Sequence, residues 1–230
     1  MNTEKNHIGI LGLGARSTLY YLEKLNRLFN KTNGGYSTCP LKLLNTNFNL
    51  INPYLPNQFD KLIPVLNNYI VELDNLGISS IVIPNITLHE TIDKLQLTKV
   101  RRSKIIHPLM VCLTQLKKNQ VEEIVLFGSI HTMKKGYVSD YFKKSAIKVH
   151  FPNENDNKTI DHFRRLVYSS QEKKQDKFIF LELVKKYSKN IPVILACTEL
   201  SLYHPLDIKN VYDLSDLQIN IALEESLANK

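Results

Sequence analysis

Two stretches decide the fold: SSIVIPNITLHE (79–90) and IPVILACTELSLY (191–203). Each is an aliphatic run that breaks into a short polar turn, at Asn85 in the first and at Cys197 in the second. Short β-rich runs that stop at polar turns and alternate with segments of helical period indicate a parallel α/β sheet, in which ligands collect at the carboxyl ends of the strands. The two turns differ chemically. A matched pair of strand ends suits a reaction on both faces of a substrate carbon, yet here one end carries a thiol and the other a carboxamide.

A second pair supports the same organisation. GILGLGARST (9–18) and VLFGSIHTMK (125–134) are each an aliphatic strand ending at a glycine, Gly12 or Gly128, followed by a turn with hydroxyl residues. The two kinds of turn fall in the same order in each half. The fold class expected is therefore α/β, with two pseudo-symmetric Rossmann-like lobes, each a short parallel sheet flanked by helices and facing a shared cleft. The lobes are placed at 1–107 and 108–207, with 208–230 packing back on the first. Strands are expected at 8–12, 41–46, 80–84, 104–106, 121–127, 147–151 and 191–196. Phe59, Leu62, Ile63, Leu66, Tyr69, Ile70 and Leu73 repeat with helical period, and Gly77 supplies a stop. Further helices are expected over 157–189, broken near Glu172–Asp176, and over 214–228.

Composition narrows the chemistry. The chain has 230 residues, 43% of them hydrophobic, which is enough for a packed core. Its three cysteines, Cys39, Cys112 and Cys197, show neither CxxC nor Cys/His spacing, so a disulfide framework and a zinc site are not expected and a reduced, cytoplasmic setting is. The run IGILGLGA (8–15) is too short to span a membrane, and it follows a weakly basic leader with no clear cleavage site. The formal charge of +8 is spread over short lysine pairs with no nucleic-acid-binding motif, so neither a nucleic-acid nor a membrane partner is expected.

At Cys197 two readings stand side by side: a small buried hydrophobe, or a thiolate whose pKa is lowered by the helix start at Thr198–Glu199. Cys39 and Cys112 read as structural. GLGARS (12–17) has Ser17 where a dinucleotide fingerprint needs its third glycine, and Asn45 and Asn47 stand where an acid would follow the second strand. No Walker lysine is present. What remains is a glycine turn suited to holding a carboxylate on backbone N–H groups. His89, His107, His131 and His204 all fall near expected strand ends, each readable as structural or as part of a site. No pair of them has metal-ligand spacing, and no metal or cofactor is expected.

IPNITLH (83–89), KIIHPL (104–109), LFGSIHTM (126–133) and ACTEL (196–200), with STLYYLEKLN (17–26) and Gly34–Gly35, resemble in order and spacing the signature segments of the aspartate/glutamate racemase family. The resemblance spans nearly the whole chain. It implies two pseudo-symmetric lobes, a homodimer, and catalysis without pyridoxal phosphate or metal. In that family one cysteine comes from each lobe, in a P-C-N-T-x-H and a C-T-E segment. Cys197 takes the second position with Thr198 and Glu199 beside it. Asn85 falls on the first, Ile86 replaces the family's asparagine, and Thr87 and His89 match its threonine and histidine. Gly12–Leu13–Gly14 stands for a more usual G-G-M, and no arginine matches the one that usually follows the second strand.

The resemblance implies a racemase of aspartate or glutamate in which Cys197 exchanges a proton at Cα and Asn85 occupies the opposite position. Because a carboxamide is neither acid nor base near neutral pH, water or another polar group would serve its face. The substrate-binding set on this reading is Gly12, Arg16, Ser17, Asn47, Thr87, Ser129, Thr132, Thr198 and Glu199, and the partner is a small acidic amino acid or dicarboxylate. Two alternatives stay open: a single-cysteine decarboxylase or cis–trans isomerase of a small diacid, and an inactive amino-acid-binding homologue.

Overall fold

Ile8–Gly12 is buried at every position, as a strand covered on both faces must be, and forms β1 at the centre of the first of two sheets. The computed structural model describes residues 7–95, 104–134 and 136–228. β1 pairs in parallel with β2 (Leu41–Asn45) and β3 (Ser80–Val82), and β3 with β4 (Lys104–Ile105), giving the order β2-β1-β3-β4. β2 lies at an edge and is only partly buried. The second sheet is built from β5 (Glu123–Phe127), β6 (Lys148–His150), β7 (Val193–Leu195) and β8 (Val211–Asp213), all parallel, in the order β6-β5-β7-β8. Counted within each sheet, both read second, first, third, fourth. The likeness of the two halves, visible in the sequence as paired turns, is thus a likeness of topology.

Helices supply the covering layers. α1 (Ala15–Asn33) buries Ser17, Thr18, Tyr21, Leu25 and Phe29, and it ends at Gly34, whose positive φ of 71° lets its N–H close on the Asn30 carbonyl. α2 (Phe59–Asn75) buries Leu62, Leu66, Ile70 and Leu73 at the spacing the sequence shows. Those four pack with Leu11, Ile81, Ile83 and Ile92 into the first core. α3 (His89–Lys94) follows the Asn85 turn.

α4 (Pro108–Lys118) and α5 (Tyr137–Lys143) precede and follow β5. The second core gathers Val125 and Phe127 with Ile160, Phe163 and Val167 of α6 (Glu154–Tyr168) and Phe180 and Val184 of α7 (Lys174–Ser188). α8 (Thr198–Ser201) is a single turn, and α9 (Leu214–Leu227) closes the chain.

By internal contacts the chain divides into two units, one reaching His107 and resuming at Gln218, the other Pro108–Leu217. The sequence places the segment from 208 on with the first lobe; the chain from Gln218 groups there, but Val211–Asp213 hydrogen-bonds to β7 instead. That strand is three residues long and starts beside Asn210, whose φ is positive, so no periodic pattern marks it. The break in the long helical stretch comes earlier than expected, between Tyr168 and Lys174. Ser170 has positive φ there, and the Asp176 carboxylate accepts the Lys173 N–H at 2.8 Å to start α7. Cys39 and Cys112 are buried free thiols.

Candidate active site

In the second unit, the turns after β5 and β7 lie against each other. Ala196 N–H donates to the Phe127 carbonyl at 2.8 Å, and a Cβ on Gly128 would stand 3.4 Å from the Ala196 carbonyl oxygen and 2.9 Å from Thr132. Glycine is required by that approach. Ser129 and Thr132 bond each other through their hydroxyls at 2.9 Å, and Ser129 Oγ also accepts the Thr132 N–H at 3.2 Å. Ile130 N–H donates to Asp161 Oδ1 at 3.1 Å, which pins the turn to α6.

Cys197 has extended backbone and caps α8, its carbonyl accepting the Leu200 N–H. Its Sγ donates to Glu199 Oε2 at 2.7 Å, and Thr198 Oγ1 reaches the same oxygen at 3.4 Å. Arg164, held by Asp161 at 3.0 Å, supplies the opposing charge to both Cys197 and Glu199. Burial, and then the Glu199 charge, push the thiol well above the ordinary range, with Arg164 pulling the other way. This corrects the depressed thiol expected from the helix start. A single turn of helix carries little dipole, whereas a dry sulfur beside a carboxylate strongly resists ionising. Although the residue as a whole is only half-buried, its sulfur packs against the apolar cluster of α6, α7 and β7, and that packing governs its ionisation.

In the first unit the corresponding strand ends are those of β1 and β3. Asn85 N–H donates to Ile83 O at 2.7 Å, and its Oδ1 accepts the Leu88 N–H at 3.0 Å. The carboxamide oxygen therefore holds the turn that opens α3, while Nδ2 donates to none of the described residues. His89 Nδ1 lies 2.9 Å from the Asn85 carbonyl, which can only accept, so that nitrogen carries the hydrogen. Nε2 then faces Gln218 Nε2 at 3.5 Å, and Gln218 Oε1 accepts the Tyr21 hydroxyl at 2.7 Å. Burial and the neighbouring His107 lower the His89 pKa to about 3, so it is neutral and structural.

The Gly12 turn is wired internally. Thr46 donates both its N–H and its hydroxyl to Gly12 O, Leu13 N–H is taken by Thr18 Oγ1 at 3.0 Å, and Ser17 Oγ donates to Gly14 O at 3.0 Å. Arg16 is half-buried and engaged, Thr87 is half-buried, and Asn47 is exposed, its side chain accepting from Asn49 N–H in a 3-10 turn. The structure thus gathers Cys197, Thr198, Glu199, Ser129 and Thr132 at the strand ends of the second unit, and Gly12, Arg16, Ser17, Asn85 and Thr87 at those of the first. Asn47 lies one turn farther on, past β2.

Arg164 and Asp161 are absent from the sequence-derived set. Their signal was an acid three and four residues ahead of two arginines, Arg164 and Arg165, on an amphipathic helix. Among the described residues, one group able to hold a metal comes together, His204, Asp213 and Asp216, from positions whose spacing gives no hint of it. A depression of about 760 Å³ lined by Gln120–Glu123 and Ser145–Lys148 lies at the amino ends of β5 and β6, away from Cys197. No helix among the described residues is long and apolar enough to cross a membrane.

No protein-family model and no curated protein sequence matches the chain. Solved structures do. An aspartate racemase homologue from Pyrococcus horikoshii OT3 aligns with TM-score 0.81 at 23% identity, covering 96% of this chain and 99% of that one. The Picrophilus torridus aspartate racemase gives 0.76 at 18%, over 96% and 94%. A glutamate racemase from Francisella tularensis, solved with D-glutamate, gives 0.62 at 16%, over 99% and 83%. At these identities the likeness establishes the fold: two four-stranded parallel sheets flanked by helices, as in aspartate and glutamate racemases.

Proposed function

We propose that the chain is an isomerase, a racemase of aspartate or glutamate that works without pyridoxal phosphate or metal. The observation that carries this reading is the Cys197 thiol donating to Glu199 Oε2 at 2.7 Å, at a strand end and beside Arg164. The fold shared with aspartate and glutamate racemases supports it.

In one direction the thiol hands its proton to Glu199 as its sulfur takes the Cα proton of the substrate. In the other, the thiol protonates the carbanion and recovers a proton from the carboxyl group of Glu199. A thiol that resists ionising in the free protein is then activated only as its proton finds the carboxylate. Asn85, at the matching strand end of the other unit, serves as a ligand through Nδ2, donating to a substrate carboxylate or to developing negative charge. Water serves the face that lacks a thiol. Arg16, Ser17, the Gly12 turn, Asn47, Thr87, Ser129, Thr132 and Thr198 bind the polar groups of the substrate, and the protein works as a cytoplasmic homodimer.

Each enantiomer of aspartate and of glutamate, incubated with the protein in heavy water, should exchange its Cα hydrogen and lose optical purity, followed by NMR and chiral chromatography. Absence of exchange with all four overturns the proposal. A second reading is favoured by the same carboxamide: with Asn85 Oδ1 committed to Leu88 N–H and His89 neutral and buried, neither of these two residues acts as an acid or base, which suits one-face chemistry on a small diacid, decarboxylation or cis–trans isomerisation. Turnover of dicarboxylates lacking an amino group, with no amino-acid exchange, selects that reading.

A further inference from the structure

Asp213 ends β8 and caps α9, and its two carboxylate oxygens lie in very different surroundings. Oδ1 accepts three hydrogen bonds, from Ser201 Oγ at 2.9 Å, Ser215 N–H at 2.8 Å and Asp216 N–H at 3.0 Å. Oδ2 is buried with no hydrogen-bond partner among the described residues, on a side chain that is 0% exposed. A dry carboxylate oxygen without a donor is a costly arrangement unless a proton or a cation meets it. Toward that oxygen point His204 Nδ1, at 3.9 Å, and, 2.7 Å from the same nitrogen, Asp216 Oδ2. All three donor atoms lie within 4.8 Å of one another.

We propose that His204, Asp213 and Asp216 form a site for a divalent transition-metal ion of the zinc or manganese kind, tying the segment after α8 to the β8–α9 junction. One imidazole nitrogen and two carboxylate oxygens are a donor set such ions accept, with metal–donor distances of about 2.0–2.2 Å. Three donors at that range sit about 3–3.5 Å apart. Reaching it from the observed spacing takes small side-chain rotations and loss of the hydrogen shared between His204 and Asp216.

Charge balances as well. Two carboxylates cancel the charge of a divalent ion. The α9 N-terminus opposes a cation, and the two carboxylates outweigh it. His204 and Asp216 side chains keep 16% and 10% exposure, so the cluster retains contact with solvent on that side. The proposal is independent of the racemase reading, because none of the three residues belongs to the Cys197 site.

The test is calorimetry and thermal unfolding of the full chain, stripped with chelator and titrated with zinc chloride, manganese chloride or magnesium chloride. Expected are one zinc or manganese ion per chain, a raised Tm, and magnesium at least tenfold weaker. Affinity should fall at least tenfold in Asp213→Asn and in His204→Gln, the second serving if the first does not fold, and should persist in Cys197→Ser. X-ray absorption of the zinc form should show nitrogen and oxygen donors only. No binding of zinc or manganese at millimolar concentration, binding that survives both His204→Gln and Asp213→Asn, tighter binding of magnesium than of either, or sulfur in the zinc shell would each overturn the site.

Discussion

Cys197 is subject to two charges of opposite sign, Glu199 accepting its S–H and Arg164 facing both, and burial decides the contest in favour of the protonated thiol. This separates two properties that usually move together. Replacing Glu199 by Gln removes the negative charge, so the thiol ionises at lower pH and alkylates faster, by up to tenfold at pH 8 for each pKa unit recovered. The same substitution removes the proton acceptor, so racemisation should fall by about 10²–10⁴. Parallel iodoacetamide and exchange assays measure both. A fall in both rates would show that Glu199 does not hold the thiol proton. Arg164→Gln is expected to slow alkylation at the same pH, as the remaining carboxylate acts on the sulfur unopposed. The motif around Cys197 was legible in the sequence. Its protonation state was not, because burial sets it and Arg164 opposes from another helix, and neither is written in the neighbouring residues.

Strands β5 and β7 end in turns that interlock, and the element scale is where glycine matters. Gly128→Ala would set a methyl group 2.9 Å from Thr132, attached carbon to attached carbon, which a rotamer change cannot relieve. A loss of about 1–3 kcal/mol is expected by urea denaturation, together with loss of exchange activity as Ser129 and Ala196 are displaced. Unchanged stability would mean the turn relaxes freely and does not position the site. Helix α2 was readable from its apolar spacing because a 17-residue amphipathic pattern is a local property. Strand β8 was not, since three residues flanked by turns acquire strand character only from the pairing that β7 offers.

On the scale of the molecule, Gln218 joins distant parts of the first unit, accepting from the Tyr21 hydroxyl and donating to the Ile106 carbonyl. Gln218→Leu removes the carboxamide that both groups use in a buried setting, and a cost of about 1–3 kcal/mol for each lost bond is expected by chemical denaturation. His89 sets a pH dependence on the same unit. The unfolded chain protonates this imidazole near 6.5 and the folded one only near about 3, so between those values the unfolded state binds more protons and stability falls as pH falls. The slope is at most about 1.4 kcal/mol per pH unit, and urea midpoints from pH 7 to pH 4 should show a shallower decline in His89→Gln.

The sequence by itself determined the repeated strand-and-turn pattern, and with it two similar halves each built on a short parallel sheet, because apolar periodicity and turn residues act over neighbouring positions. Only the tertiary structure decided which side chains share a site. The proton on Cys197 and the meeting of His204 with Asp213 and Asp216 depend on burial and on charges brought together by packing, and distance along the chain carries no record of either.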